Sequence, residues 1–161
     1  MRNALLLALL CASALTGCTT FKMTAPDSMV VLNEPEYSNY QWRSTTPDGV
    51  ILAVKVIEQS KEEGKNPSGT LDFWTEAIRL RLRTQSGYAM IEEADVTAKS
   101  GEKGKQLRFG RDDNGVPHVY WVTLFRTKKF VHVIEAGGKR DLFEKQQKAI
   151  EAAIADYEVV Q

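Results

Sequence analysis

Few side chains in this chain could do chemistry, and their spacing keeps them apart. There are two histidines, His118 and His132. If Arg126–Lys129 closes a hairpin, Phe125 faces Phe130, Thr123 faces His132 and Trp121 faces Ile134. His132 then lies opposite a position five residues from His118, roughly 17 Å away at ~3.3 Å per residue, and strand alternation puts the two rings on opposite faces. On that register they share neither a metal nor a proton-transfer dyad, so both read as structural. Glu92, Glu93 and Asp95 supply carboxylates, as do Asp112 and Asp113. Acid–base work by a carboxyl pair needs two groups in different environments facing across a defined gap. Adjacent strand residues such as Glu92 and Glu93 point to opposite faces instead, and Asp112-Asp113-Asn114-Gly115 is hairpin-turn chemistry. Neither cluster has the 1, 3, 5, 12 spacing of a Ca²⁺ loop. No Gly-x-Ser-x-Gly, P-loop or dinucleotide fingerprint occurs. Around Gly101, Lys103, Gly104 and Lys105 no buried strand feeds directly into a helix, so this stretch reads as a mobile loop. Trp42, Trp74, Trp121, Phe125 and Phe130 could line a pocket, although filling a core is the commoner use of such residues. The expectation is a non-enzyme with no catalytic, cofactor or metal site.

The two cysteines, Cys11 and Cys18, both lie near the amino terminus. Arg2 precedes an apolar run from Ala4 to Leu10, which continues through small residues to Leu15 and closes on Leu15-Thr16-Gly17-Cys18. The run is too short to cross a ~30 Å hydrocarbon core as a helix and ends in small residues, the pattern of an export signal. The tetrapeptide resembles the lipobox of bacterial lipoproteins. That resemblance implies a signal peptide over residues 1–17, a lipid-bearing thioether at Cys18 and a polar tether from Cys18 to Met29. An exported chain of this kind keeps no disulfide, no thiolate nucleophile and no cysteine metal ligand. One acyl chain holds a protein to a bilayer only marginally, whereas two hold it stably. Bacterial lipoproteins usually carry two or three, so the resemblance implies a membrane-anchored domain in the cell envelope. Thr19 in place of Asp after the cysteine implies the periplasmic face of the outer membrane.

Charge excludes one partner class. The chain has 21 basic and 21 acidic residues, and loss of Arg2 with the leader would leave a net charge of about −1. A nucleic-acid partner would call for a basic domain or stripe, which is missing. The length suits one globular domain, residues 30–161, able to bury a core without covalent staples.

Hydrophobic periodicity places the elements. Val30–Leu32 reads as a brief edge strand, and Tyr40–Thr45 and Val50–Ile57 as strands joined at Pro47-Asp48-Gly49. Thr70 caps a helix to Gln85 whose Leu71, Trp74, Ile78 and Leu82 share a face, widened by Phe73, Ala77 and Leu80, with Gly87 as its stop. Arg79, Arg81 and Arg83 form its solvated side. Strands follow at Tyr88–Thr97, Lys105–Arg111, His118–Phe125 and Phe130–Ala136, the last broken by Gly137-Gly138. Asp141 with Glu144 starts a final helix running to Tyr157, with Phe143, Ile150, Ile154 and Tyr157 on one face. Tight turns make the pairing antiparallel, and the class is α+β. On the central strands both faces are apolar: Trp121, Thr123 and Phe125 on one, Tyr120, Val122 and Leu124 on the other. A sheet with one wet face alternates cleanly, so the two amphipathic helices are expected on opposite sides in a three-layer α/β/α arrangement.

The aromatic-rich segment Tyr120–Gly138, followed directly by a helix, resembles the carboxy-terminal half of the PsbP-like and DcrB-like proteins. The resemblance implies an antiparallel sheet flanked by helices and a non-enzymatic accessory or binding role toward another envelope protein. It carries no functional residues across. A second reading is a carrier of a small apolar ligand, held in a cavity beneath the helix that Thr70 caps.

Overall fold

Cross-strand pairing on the central strands fixes the architecture. The computed structural model describes residues 20–33, 38–59 and 69–160. Along it run β1 (Phe21–Lys22), β2 (Val30–Val31), β3 (Trp42–Thr45), β4 (Ile51–Glu58), α1 (Leu71–Ser86), β5 (Ala89–Thr97), β6 (Lys103–Asp113), β7 (Val116–Arg126), β8 (Phe130–Lys139), α2 (Arg140–Ala155) and β9 (Glu158–Val159). Seven strands form one antiparallel sheet in the order β2-β3-β4-β8-β7-β6-β5, and β1 pairs with β9 in a small second sheet. This is the expected α+β class.

Each face of the large sheet buries its own cluster. On one, Leu52, Val54, Trp121, Phe125 and Ile134 pack beneath Phe143, Ile150 and Ile154 of α2. On the other, Leu107, Phe109, Val122, Leu124, Val131 and Val133 meet Leu71, Trp74, Ile78 and Leu82 of α1. The sheet is therefore the middle of three layers. Phe73 and Leu80 do not widen the buried stripe of α1; they are 44% and 50% exposed. At ~100° per residue they lie opposite the Leu71–Leu82 row, so the helix can seat one side only.

The cap at Thr70 forms as the sequence suggests. Its side chain accepts from the Phe73 N–H at 3.1 Å, and Gly87 ends the helix with φ 67°. Thr70→Ala is expected to lower unfolding stability by ~1 kcal/mol, a change that urea titration would resolve. The second helix departs from expectation. It begins at Arg140, its N-cap Lys139 makes no side-chain bond, and it ends at Ala155, so Asp141 and Glu144 form no capping box. Asp141 instead lies in the first turn, where its charge meets the positive end of the helix dipole.

Gly137 and Gly138 do not break β8, which runs on to Lys139. A Cβ at Gly137 would sit 2.7 Å from Cδ2 of Tyr120, its partner on β7, so the glycine admits an aromatic ring rather than a bend. The β7–β8 register also slides by two residues, pairing Phe125 with His132. Thr127 explains the slide: its N–H donates to the Phe130 carbonyl (2.8 Å) and its hydroxyl accepts from the Phe130 N–H (3.0 Å), moving the turn one position on. A shift of two keeps parity, so every residue stays on its expected face.

The expected tether also needs correction. Cys18 and Thr19 lie outside the described residues, but from Thr20 onward the chain belongs to the body. Phe21 and Lys22 pair with Val159 and Glu158, the Val160 N–H donates to the Thr20 carbonyl (2.8 Å), and the Phe21 ring stacks on Tyr157 at 5.7 Å. Met29 is buried in the α2-side core.

Candidate functional site

Glu135 is the only acidic residue of β8, the central strand of the sheet. It follows Val131 and Val133 on the face that α1 covers, and emerges where the helix has drawn aside. There a cleft of about 360 Å³ opens, lined by Tyr40, Lys55, Arg81, Ser86, Tyr120 and Glu135 among others. The Tyr40 hydroxyl donates to Glu135 Oε2 at 2.6 Å. Tyr120 reaches the same carboxylate, and burial, then the Glu135 charge, push its phenol well above the ordinary tyrosine range. It therefore remains a protonated donor at physiological pH. The Tyr120 ring rests against Tyr88 (centroids 5.5 Å), and the Arg111 guanidinium lies 5.1 Å above the Tyr88 ring. The missing Cβ of Gly137 gives Tyr120 its place.

The cleft combines one carboxylate, two phenols and two cations. Among the described residues Ser86 is the one aliphatic hydroxyl in the lining and no histidine lies there, so phenols, a carboxylate and cations supply its polar groups. Such a lining suits a polar ligand; a second cleft, of about 520 Å³, lies where α1 meets β5 and β6 and is lined by Arg79, Arg83, Tyr88, Met90 and Phe109 among others.

The side chains singled out in the sequence are held elsewhere. Glu92 pairs with Arg108 (3.2 Å) on the α2 side of the sheet, whereas Asp95 pairs with Lys105 (2.8 Å) and Glu93 with both Arg79 and Lys105 on the α1 side. Asp112 Oδ1 accepts from the Gly115 N–H at 2.7 Å, while Asn114 and Gly115 take φ 54° and 83°, a turn as expected. Among the described residues no group of three or more His, Cys, Asp or Glu could hold a metal ion. Trp121 packs edge-on to Phe143 (4.9 Å) beneath the Arg108 guanidinium (4.1 Å), a core position. Lys103 and Gly104 belong to β6 and not to a mobile loop. His118 Nδ1 donates to the Val116 carbonyl at 2.9 Å.

His132 is fully buried, with Nδ1 2.8 Å from the Tyr157 hydroxyl and Nε2 without a partner among the described residues. Burial lowers its pKa from 6.5 to about 4, with Glu102 opposing weakly. The unfolded chain binds this proton near pH 6.5 and the folded one does not. Stability is therefore intact above pH 6.5 and declines as pH falls toward 4, by ~3 kcal/mol over the window. Urea midpoints of the protein and of His132→Gln should diverge in slope across pH 4–6.5; parallel profiles would assign acid sensitivity to other groups.

Tyr40, Lys55, Arg81 and Glu135 were not legible as a site in the sequence. The one available signal was a lone acid inside the apolar run Phe130–Ala136.

No family model and no curated protein matches the chain. Solved structures do. LpqN of Mycobacterium tuberculosis, described as involved in cell envelope biogenesis, aligns with TM-score 0.68 at 15% identity, over 88% of this chain and 83% of that one. The cyanobacterial PsbP protein CyanoP of Synechocystis aligns with TM-score 0.58 at 10% identity, over 93% and 98% of the two chains. The expected PsbP-like architecture is thus present, and the chain shares its fold with LpqN and CyanoP.

Proposed function

We propose that this chain is a non-enzymatic accessory protein of the bacterial cell envelope, anchored to a membrane by lipid on Cys18. The observation that carries the reading is Leu15-Thr16-Gly17-Cys18 at the end of a short apolar leader. Its fold is shared with LpqN, a protein involved in cell envelope biogenesis, and its cleft offers polar and charged groups suited to recognition. Thr19 favours the periplasmic face of the outer membrane, and the partner is another envelope protein. Crosslinking in intact cells followed by purification from membranes is expected to give one reproducible protein partner. Recovery of the chain alone under several crosslinkers would remove the accessory role.

The Tyr40–Glu135–Tyr120 arrangement favours a second reading, a small polar ligand in the cleft. Native mass spectrometry of the mature protein in detergent would then show an adduct that Glu135→Ala loses.

A further inference from the structure

We infer that the end of the domain carrying β1 and β9 sits directly on the headgroups of an anionic bilayer, with the Ala98–Glu102 and Thr127–Phe130 turns at the lipid surface; this rests on the lipidation of Cys18 proposed above. Three residue steps separate Cys18 from Phe21, a reach of at most ~11 Å. Beyond that the chain has no slack. Thr20 accepts from Val160, Phe21 stacks on Tyr157, and Lys22 binds Glu158 at 3.0 Å. A lipid on Cys18 therefore holds the body against the membrane rather than on a leash.

Topology decides which surface is presented. The β5–β6 and β7–β8 turns, the start of α1 and the end of α2 all lie at the β1–β9 end, since Lys99 donates to Tyr157 and Ser100 accepts from Val159. The β3–β4 and β6–β7 turns lie at the other end, roughly 35 Å away along the eleven residues of β7. At the near end Lys99 and Lys22 pair with Asp156 and Glu158, and Glu58, Asp72 and Glu102 stand at the same end. Lys103, Lys128 and Lys129 have no ion-pair partner among the described residues and face solvent. Basic side chains beside a bilayer are drawn to anionic headgroups. Of the exposed apolar side chains, Val30, Val31, Met90, Ile91 and Val116 lie toward the far end, and Phe73, in the first turn of α1, lies toward the near end. The cleft opens on the flank, between middle and far end, and stays accessible from water.

The test uses the full mature lipoprotein, reconstituted into phosphatidylcholine–phosphatidylglycerol vesicles with a headgroup nitroxide lipid. Cysteines are introduced at Lys128→Cys and at Val116→Cys and labelled with a fluorophore. Quenching at position 128 should exceed that at 116 at least threefold. Lys103→Cys against Asp48→Cys provides a second near–far pair should a first variant misfold. Protein that floats with the vesicles yet shows equal quenching at both ends overturns the orientation and leaves the anchor standing. Protein that does not float and carries no acyl group overturns both.

Discussion

Cys18→Ser, placed behind an ordinary cleavable secretory leader, is expected to move the protein quantitatively from the membrane fraction to the soluble one. The magnitude follows from acyl chemistry. Each buried methylene contributes ~0.8 kcal/mol, a single chain gives an association constant near 10⁴ M⁻¹, and a second chain turns marginal binding into stable anchoring. Among the described residues no helix is long and apolar enough to cross a membrane. The lysines at the β1–β9 end hold a body already tethered, and their attraction fades with salt. The unfolding midpoint of the variant should match that of the parent. Persistence of Cys18→Ser protein in salt-washed membranes would show that another feature anchors it.

Gly104→Ala is expected to destabilise the fold by about 4 kcal/mol, the largest effect expected of a methyl added at any of the described glycines. Gly104 is buried and faces Phe125 across the β6–β7 ladder. A Cβ there would lie 2.2 Å from the Leu124 carbonyl oxygen and 2.6 Å from Cδ1 of Phe125. Neither neighbour can yield cheaply. The carbonyl belongs to a central strand, and the Phe125 ring is stacked on Tyr157 at 5.7 Å, which also carries Phe21 and meets His132. Overpacking that strains backbone and rotamers typically costs ~1–3 kcal/mol, and the backbone contact adds to it. Thermal unfolding should fall by roughly 10 °C. Ala at Gly101, with open space around it but φ 99°, should cost less. Equal small losses at both positions would mean that the Phe125–Tyr157 stack does not require the close approach.

Much of the fold was legible because it depends on local chemistry. Thr70 and Gly87 bracket α1, Asn114-Gly115 turns the β6–β7 hairpin, and apolar residues on both faces of β7 called for two covering helices. What escaped depends on contacts between residues far apart in sequence. Gly137 and Gly104 read as a break and a loop because a glycine alone does not reveal the ring that will lie over it. Phe21 and Met29 read as tether because two or three apolar residues without period become core only when Tyr157 and α2 arrive, some 130 positions later. The cleft was hidden for the same reason. Tyr40, Tyr120 and Glu135 come from three segments, and only strand pairing brings the two phenols to one carboxylate. The carboxylates that did stand out, Glu92, Glu93 and Asp95, were correctly read as surface.

The mass of the intact protein extracted from membranes bears most directly on how this domain is held. The expected result is loss of residues 1–17 and a chain beginning at Cys18 that carries at least two acyl groups, removed from the peptide map by Cys18→Ser. A chain that retains its leader, or begins at Cys18 with an unmodified thiol, would contradict the anchor and with it the envelope role proposed for the domain.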